Sequence, residues 1–444
     1  MKITYLKSSS VLMESNGIKI LTDPWLTDGE YYGSWYHYPP FEFRKDYFED
    51  VDYIYVSHIH MDHFSKRTFE LLNKSIPVLI HSYEVKFLKT NIERLGFKVI
   101  ELPHNDRTHL RNGVFINILA ADNCDPEHCL KLMGCGKVES KYGSTQIDTL
   151  CVIDNGKQTI LNTNDCPFDL AKPTLNLVKN QYSIIDFLLV GYAGAGPFPQ
   201  CFVLPEIEKL EFGQKKRDQF LTQGLNFINE IRPKYVMPFA GTYVLGGKYA
   251  ILQNFRGVPE IEEAASYFQN HINEETGVVL LNSYEFFDIS NSKISNGYVP
   301  QDLLLKQKYI DEELSLKKYD YELDDMPNIS DLLPLLAKSY QRLEYKRVEI
   351  NFKSQTVVLI NLYENGWYLI SMDGNGSKII LDQSKVKIEN FVSFTLDLRL
   401  LKRLLMGPKF AHWNNAEIGS HIKFERRPNI FERGLYHSMC FFHN

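Results

Sequence analysis

The chain has 444 residues and a formal net charge of −6, with a pI near 6.1. That balance gives no overall attraction to nucleic acid or to an acidic membrane surface, and no apolar run approaches the ~18–20 residues of a membrane-spanning helix. The length exceeds one ordinary core, so more than one domain is expected. Seven cysteines, an odd number in a chain this long, argue against a disulfide framework, and without a secretory apolar region near Met1 the expected location is cytoplasmic.

Three short alternating runs open the chain at 2–6, 10–14 and 18–21, with Ser15-Asn16-Gly17 as a hairpin turn and Asp23-Pro24-Trp25 ending the third. The apolar run from Val51 to Val56 then releases His58-Ile-His60-Met-Asp62-His63 before a helix start near Lys66. Four metal-ligand side chains in six residues, placed directly after a buried strand, point to a metal site and not to a chance cluster of surface histidines. Neutral imidazole suits Zn, Fe, Ni or Cu, and an added carboxylate shifts the preference towards Fe or Mn.

Further strands are expected at 78–80, 98–102, 114–119, 150–153, 159–161, 184–190 and 235–238, with helices at 83–95 and 217–231. Strands interleaved with helices, most ending in polar residues, predict a layered α/β domain over residues 1–300. Residues 301–330 read as a polar connector with some helix. The remainder, 331–444, reads as a small α+β domain with strands at 348–352, 356–362, 367–372, 377–381 and 422–426 and a helix around 413–418.

The segments Asp23-Pro-Trp25, His58-x-His60-x-Asp62-His63 and Asn162-Thr-Asn-Asp165 resemble the metallo-β-lactamase superfamily, an αββα sandwich with metal at the edge of its two sheets. Within it, Leu161-Asn-Thr-Asn-Asp-Cys166, Tyr192-Ala-Gly-Ala-Gly-Pro-Phe-Pro199 and Pro238-Phe-Ala-Gly241 look most like the lactamase-type domain of the CMP-N-acetylneuraminate hydroxylase family, over about residues 1–250. The resemblance implies that His58 and His60 bind one metal, Asp62 and His63 a second, and that Asp165 is shared. The usual later histidines are replaced by Ala120-Ala-Asp122 and Phe239-Ala-Gly241, as in the hydroxylase family. Asp122 is the candidate extra ligand, with His104, His109, His128 and Asp125 as its rivals. Asp148 is either a partner of a ligating histidine or a strand cap.

The resulting metal set is His58, His60, Asp62, His63, Asp122 and Asp165, with Asp62 and Asp165 as candidate catalytic residues. It would hold one or two divalent metal ions, iron first, with zinc or manganese as alternatives. Cys124, Cys129 and Cys135 match no common structural zinc spacing. Cys440-Phe-Phe-His443 is only half of a Rieske pattern, so these 444 residues carry no such cluster of their own.

The glycine-rich segment 191–196 could offer backbone N–H groups to an anion. Trp25, Trp35, Tyr36 and Tyr38 are candidates for a pocket wall, and equally for plain packing. The C-terminal region weakly resembles sterol-carrier-like domains; dimerisation, pocket closure and partner docking are its candidate roles, and a homodimer is one expected assembly.

Two functions are consistent with these residues. One is an iron-dependent, O2-activating hydroxylase of a polar anionic small molecule (a nucleotide sugar, sugar or amino-acid derivative), with electrons from a separate donor protein. The other is a metal-dependent hydrolase of a phosphoester, lactone or amide. A binding protein that kept the fold without turnover is a third reading, disfavoured by the intact histidine loop.

Overall fold

Two twisted sheets lie face to face because their strands are apolar on both sides, one side for the partner sheet and one for covering helices. The computed structural model describes residues 1–83, 85–121, 148–381 and 388–444. The first sheet runs Lys293–Ile294, Phe286–Asp288, Lys2–Lys7, Ser10–Ser15, Ile18–Thr22, Tyr53–Tyr55, Val78–His81 and Val99–Leu102. The second runs Gly277–Val278, Tyr235–Phe239, Phe187–Gly191, Thr159–Asn162, Thr149–Asp154, Phe115–Ala120 and Thr108–His109. Period-two alternation sorts the side chains: Ile3, Tyr5, Cys151, Ile153, Phe187 and Leu189 fill the layer between the sheets, while Leu150, Val152, Leu188 and Val190 belong to the core shared with the outer helices.

In each sheet the hairpin strands give way to a parallel run. Ile18–Thr22, Tyr53–Tyr55, Val78–His81 and Val99–Leu102 are parallel neighbours, as are Thr159–Asn162, Phe187–Gly191 and Tyr235–Phe239. Parallel strands deliver their C-terminal loops to one rim, where α/β sheets commonly bind ligands. Asp23, the histidine loop, Asp165, the glycine-rich segment and Phe239-Ala-Gly241 all lie at or just beyond the ends of such strands.

Several boundaries differ from the sequence reading. The helix expected at 83–95 covers only Phe87–Arg94, and the one expected at 217–231 begins eleven residues earlier, as Glu206–Ile231. The strand expected at 348–352 is instead the end of the helix Ile329–Glu349 and the turn by which the chain leaves it. There Leu332, Leu336 and Leu343 form a buried stripe at helical spacing, which outweighs the β-branched Val348 and Ile350. Asn351 then takes a left-handed φ of 53° beyond the helix end.

The last sheet has the order Ser377–Ile380, Trp367–Ser371, Val357–Asn361, Phe391–Thr395, Lys423–Arg427. Its core combines Val358, Ile360 and Phe394 with Leu400, Leu401, Leu404 and Leu405 of the helix Leu398–Met406. Phe202, Tyr32 and Tyr319 from the earlier segments join the same core. Backbone bonds from Phe424 N to Cys201 O (2.9 Å) and Val203 N to Phe424 O (2.8 Å) extend this contact.

One buried group in this region sets a pH dependence. Glu417, on the helix Trp413–Ile418, has an Oε1 with no hydrogen-bond partner among the described residues, and burial pushes its carboxyl up to about 8. The folded pKa is thus raised, so the associated stability is fully present below the unfolded carboxyl pKa of ~4.3 and is lost as pH rises towards 8. Glu417→Gln is expected to remove that loss, worth roughly 2–3 kcal/mol at pH 8 once partial solvent screening is allowed for. Urea unfolding at pH 5 and pH 8 checks it: the wild-type midpoint drops between the two by more than the variant's does. Parallel drops in both proteins would contradict the assignment.

Candidate metal centre

The strand Tyr53–Tyr55 continues as Val56-Ser57 into a tight loop, held by His63 N and Phe64 N donating to His60 O at 3.1 and 2.7 Å. Ser65 then caps the helix Lys66–Leu71, its Oγ accepting from Thr68 N at 3.0 Å. Between these two anchors the side chains of His58, His60 and His63 converge. His58 and His63 are fully buried, with ring centroids 4.2 Å apart, and His60 stands edge-on to His58 at 4.7 Å.

The tautomers are set by the partners. Asp23, buried at the end of Ile18–Thr22, accepts from Ser57 N (2.7 Å), Ser57 Oγ (2.7 Å) and His63 Nδ1 (2.9 Å). A carboxylate accepts only, so His63 carries its proton on Nδ1 and turns Nε2 inwards. Ser57 spends its hydroxyl proton on Asp23, which leaves its oxygen to accept from His58 Nδ1 at 2.9 Å and turns His58 Nε2 inwards as well. His60 presents Nδ1 at 2.8 Å from His58 Nε2, and its outer Nε2 lies 3.3 Å from Asn414 Oδ1.

The carboxylates come from both sheets. Asp165 is reached from Thr159–Asn162 through a turn in which Asn164 N donates to Asn162 Oδ1 (2.9 Å), Asn164 taking a φ of 47°. Its Oδ2 lies 3.3 Å from His63 Nε2. The turn is pressed against Gly191, where a Cβ would come within 2.8 Å of Asn164 O. Asp62 lies slightly further out, Oδ2 to His63 Nε2 3.6 Å, and its Oδ1 accepts from the buried Tyr31 hydroxyl at 2.5 Å. Asp148, immediately before Thr149–Asp154, brings Oδ1 to 3.4 Å from His58 Nε2.

Two three-residue groups therefore converge closely enough to hold a metal ion: His58, His63 and Asp165, and His58, His60 and Asp148. Asp148 thus reaches the inner face of His58, closer to the centre than a residue that merely orients an imidazole. Asp122, with Asp125, His128 and the three clustered cysteines, lies outside the described residues. His104 and His109 are elsewhere: His104 Nδ1 accepts from Ala120 N, and His109 is exposed beside Gly113.

The electrostatics suit a cation. Burial, reinforced by the neighbouring imidazoles, pushes the His58 pKa well down. Burial opposes a charge on His63 too, but Asp165, Asp23 and Asp62 outweigh it and raise its pKa. Burial, with Asp165 nearby, also raises Asp148. His63 Nε2, Asp148 Oδ1 and Asp165 Oδ1 are buried without a hydrogen-bond partner among the described residues. His58 Nε2 and His60 Nδ1 lie 2.8 Å apart, a contact that one shared proton or one cation can satisfy, and the three neighbouring carboxylates favour positive charge among them. This donor set fits a divalent metal ion.

Around the centre, Tyr31, Asp23 and Asn414 were not singled out for these roles from sequence. The one local signal was Asp23 at a strand end beside the strand that leads to the histidines. Of the expected wall, Trp35 packs on Tyr31 (4.5 Å) and stacks on Tyr243 (3.5 Å), whereas Tyr36 and Tyr38 pack with Val244, Ala250, Ile310 and Leu314. In the glycine-rich segment, Gly194 faces the Phe220 ring so closely that a Cβ would meet it at 2.4 Å, so packing accounts for that glycine.

A two-sheet sandwich with this rim of histidines and aspartates is a metallo-β-lactamase fold. Residues 2–124 match the family model described as the beta-lactamase superfamily domain. A protein of Mycolicibacterium smegmatis named "Putative Rieske 2Fe-2S iron-sulfur protein" is 29% identical over 244 residues, 54% of this chain and 43% of that protein. A cytidine monophosphate-N-acetylneuraminic acid hydroxylase of Asterias rubens is 27% identical over 254 residues, 55% of this chain and 35% of that protein. The chain thus spans less than half the length of these curated relatives. Among solved structures, an isothiocyanate hydrolase from Delia radicum gut bacteria shares 13% identity with a TM-score of 0.44, covering 65% of this chain and 99% of its own. Among the described residues no helix is long and apolar enough to cross a membrane.

Proposed function

We propose that this protein is a metalloenzyme whose centre holds one or two irons and hydroxylates a polar, anionic small molecule such as a nucleotide sugar, sugar or amino-acid derivative. The observation that carries this reading is the convergence of three imidazole nitrogens with Asp62, Asp148 and Asp165 on one rim. A set this rich in carboxylates favours iron or manganese over a closed zinc site. The sequence likeness to a named hydroxylase over about half the chain supports the same chemistry.

In this reading His58, His60, His63, Asp148 and Asp165 are the ligands, with Asp62 a further one, and Asp122 remains a candidate. When bound, iron supplies the activation of O2. Asp23 and Ser57 hold His63 and His58 with their inner nitrogens bare. Tyr31 donates to Asp62 Oδ1, which fixes the direction of that carboxylate and leaves Oδ2 facing the centre, as a metal ligand or as the acceptor of a proton from substrate or water. Residues 1–300 form the catalytic domain, 301–330 a connector and 331–444 a C-terminal domain. Electrons come from an iron–sulfur donor outside these 444 residues, a role supported by the Rieske-named relative.

The second reading is a hydrolase, favoured by the match to the beta-lactamase superfamily domain and by three imidazole donors, which also suit zinc. Metal analysis and the visible spectrum of protein purified without added metal separate the two. The hydroxylase is expected to contain iron and to absorb in the visible. A colourless zinc protein that cleaves a generic phosphodiester would overturn it.

A further inference from the structure

We infer that the C-terminal segment is a working part of the metal centre: Asn414 is a positioning residue that fixes the imidazole of His60 with Nδ1 towards the metal. This rests on the metal-centre reading and adds to it a residue 354 positions away from the histidine it serves.

His60 has two nitrogens and only one can give its lone pair to a metal. The inner one is Nδ1, 2.8 Å from His58 Nε2. Bare Nδ1 requires the proton to sit on Nε2, and in this half-buried ring that N–H points at a protein acceptor. The acceptor is the Asn414 amide oxygen at 3.3 Å, and with the amide in this orientation the contact favours the Nε2-protonated tautomer. Asn414 does for His60 what Asp23 does for His63, with a difference in charge: a neutral amide orients the ring without adding a negative charge to a site already rich in carboxylates.

The helix that carries Asn414 is tied to the N-terminal segments on the side facing the site. Asn414 N donates to His412 Nδ1 (3.3 Å), and His412 N donates to the Tyr32 hydroxyl (2.8 Å). Beyond the helix, His421 Nε2 bonds Tyr31 O at 2.7 Å. Trp413 Nε1 donates to Phe442 O (2.8 Å), locking the helix to its own core. Tyr31 is the residue whose hydroxyl holds Asp62. The same short stretch of chain, Tyr31-Tyr32, therefore fixes both the carboxylate and the helix that holds His60.

The test is a Zn2+ competition titration of the metal-stripped full chain, comparing wild type with Asn414→Leu, Asn414→Ala and Asn414→Asp. Loss of the acceptor is expected to weaken affinity about 10- to 100-fold in the Leu and Ala variants. The Asp variant, which keeps an accepting oxygen, should return to within a few-fold of wild type. Long-range 1H–15N spectra of the zinc-loaded wild type should show His60 protonated on Nε2. Wild-type affinity in the Leu and Ala variants would overturn the proposal, as would an Asp variant no better than Ala or a His60 protonated on Nδ1. A wild type that binds no metal would instead remove the metal-centre reading itself.

Discussion

Asp165→Ala is expected to lose most of its bound metal while keeping its fold. Among the described residues, Asp165 is the carboxylate nearest His63 Nε2, and one of its oxygens is buried there without a hydrogen-bond partner. Its removal leaves the inner Nε2 of His63, among the described residues, with the more distant Asp62 at 3.6 Å. Loss of a directly bound carboxylate exceeds the ~10- to 100-fold effect of disturbing a residue that only orients a ligand. Elemental analysis of the purified variant, with circular dichroism as the fold control, reads the outcome, and His60→Ala is expected to behave alike. Full metal stoichiometry in either variant removes that residue from the ligand set.

Asp23→Ala should do damage of a different kind. This carboxylate is wholly buried and takes three hydrogen bonds, two from Ser57 and one from His63, so it joins the end of Ile18–Thr22 to the loop beyond Tyr53–Tyr55. Its loss strands the Ser57 N–H and hydroxyl and the His63 N–H in the interior. Breaking such a buried pair costs about 3–5 kcal/mol, and the freed imidazoles lose their fixed tautomers. Expected together are a lower unfolding midpoint and a metal affinity weakened at least ~10-fold, whereas Asp23→Asn, able to accept through one oxygen only, should fall between. Unchanged metal affinity in a folded Asp23→Ala would show that the histidines need no such support.

How far the sequence discloses this site depends on whether a signal is local. The strand before His58 and the imidazoles after it lie within about a dozen residues, so period and residue type suffice to read them. Asp165 is legible for the same reason, at the end of an apolar run. The supporting atoms are not local: Asp23 reaches His63 across two neighbouring parallel strands, and Asn414 comes from another sheet's helix. Asp148 is legible only in part. Read as a strand cap or a partner of a ligating histidine, it lies beside the inner nitrogen of His58, because the strand Thr149–Asp154 begins at the rim where its antiparallel neighbour Thr159–Asn162 ends. The strand expected at 348–352 failed because two β-branched residues weigh little against a buried leucine stripe along the helix that precedes them.

The tie between His60 and Asn414 also orders events in time. A ribosome adding about 5–20 residues per second completes the histidine loop roughly half a minute before the residue 354 positions on that will hold His60 has been made. During that interval the nascent sandwich owns its aspartates and imidazoles but not the acceptor that sets one ring. With Asn414 as the proposed positioning residue, an ion captured in that interval is expected to meet a looser, more exchangeable site than the finished protein offers, and exchange is expected to slow when the last segment docks.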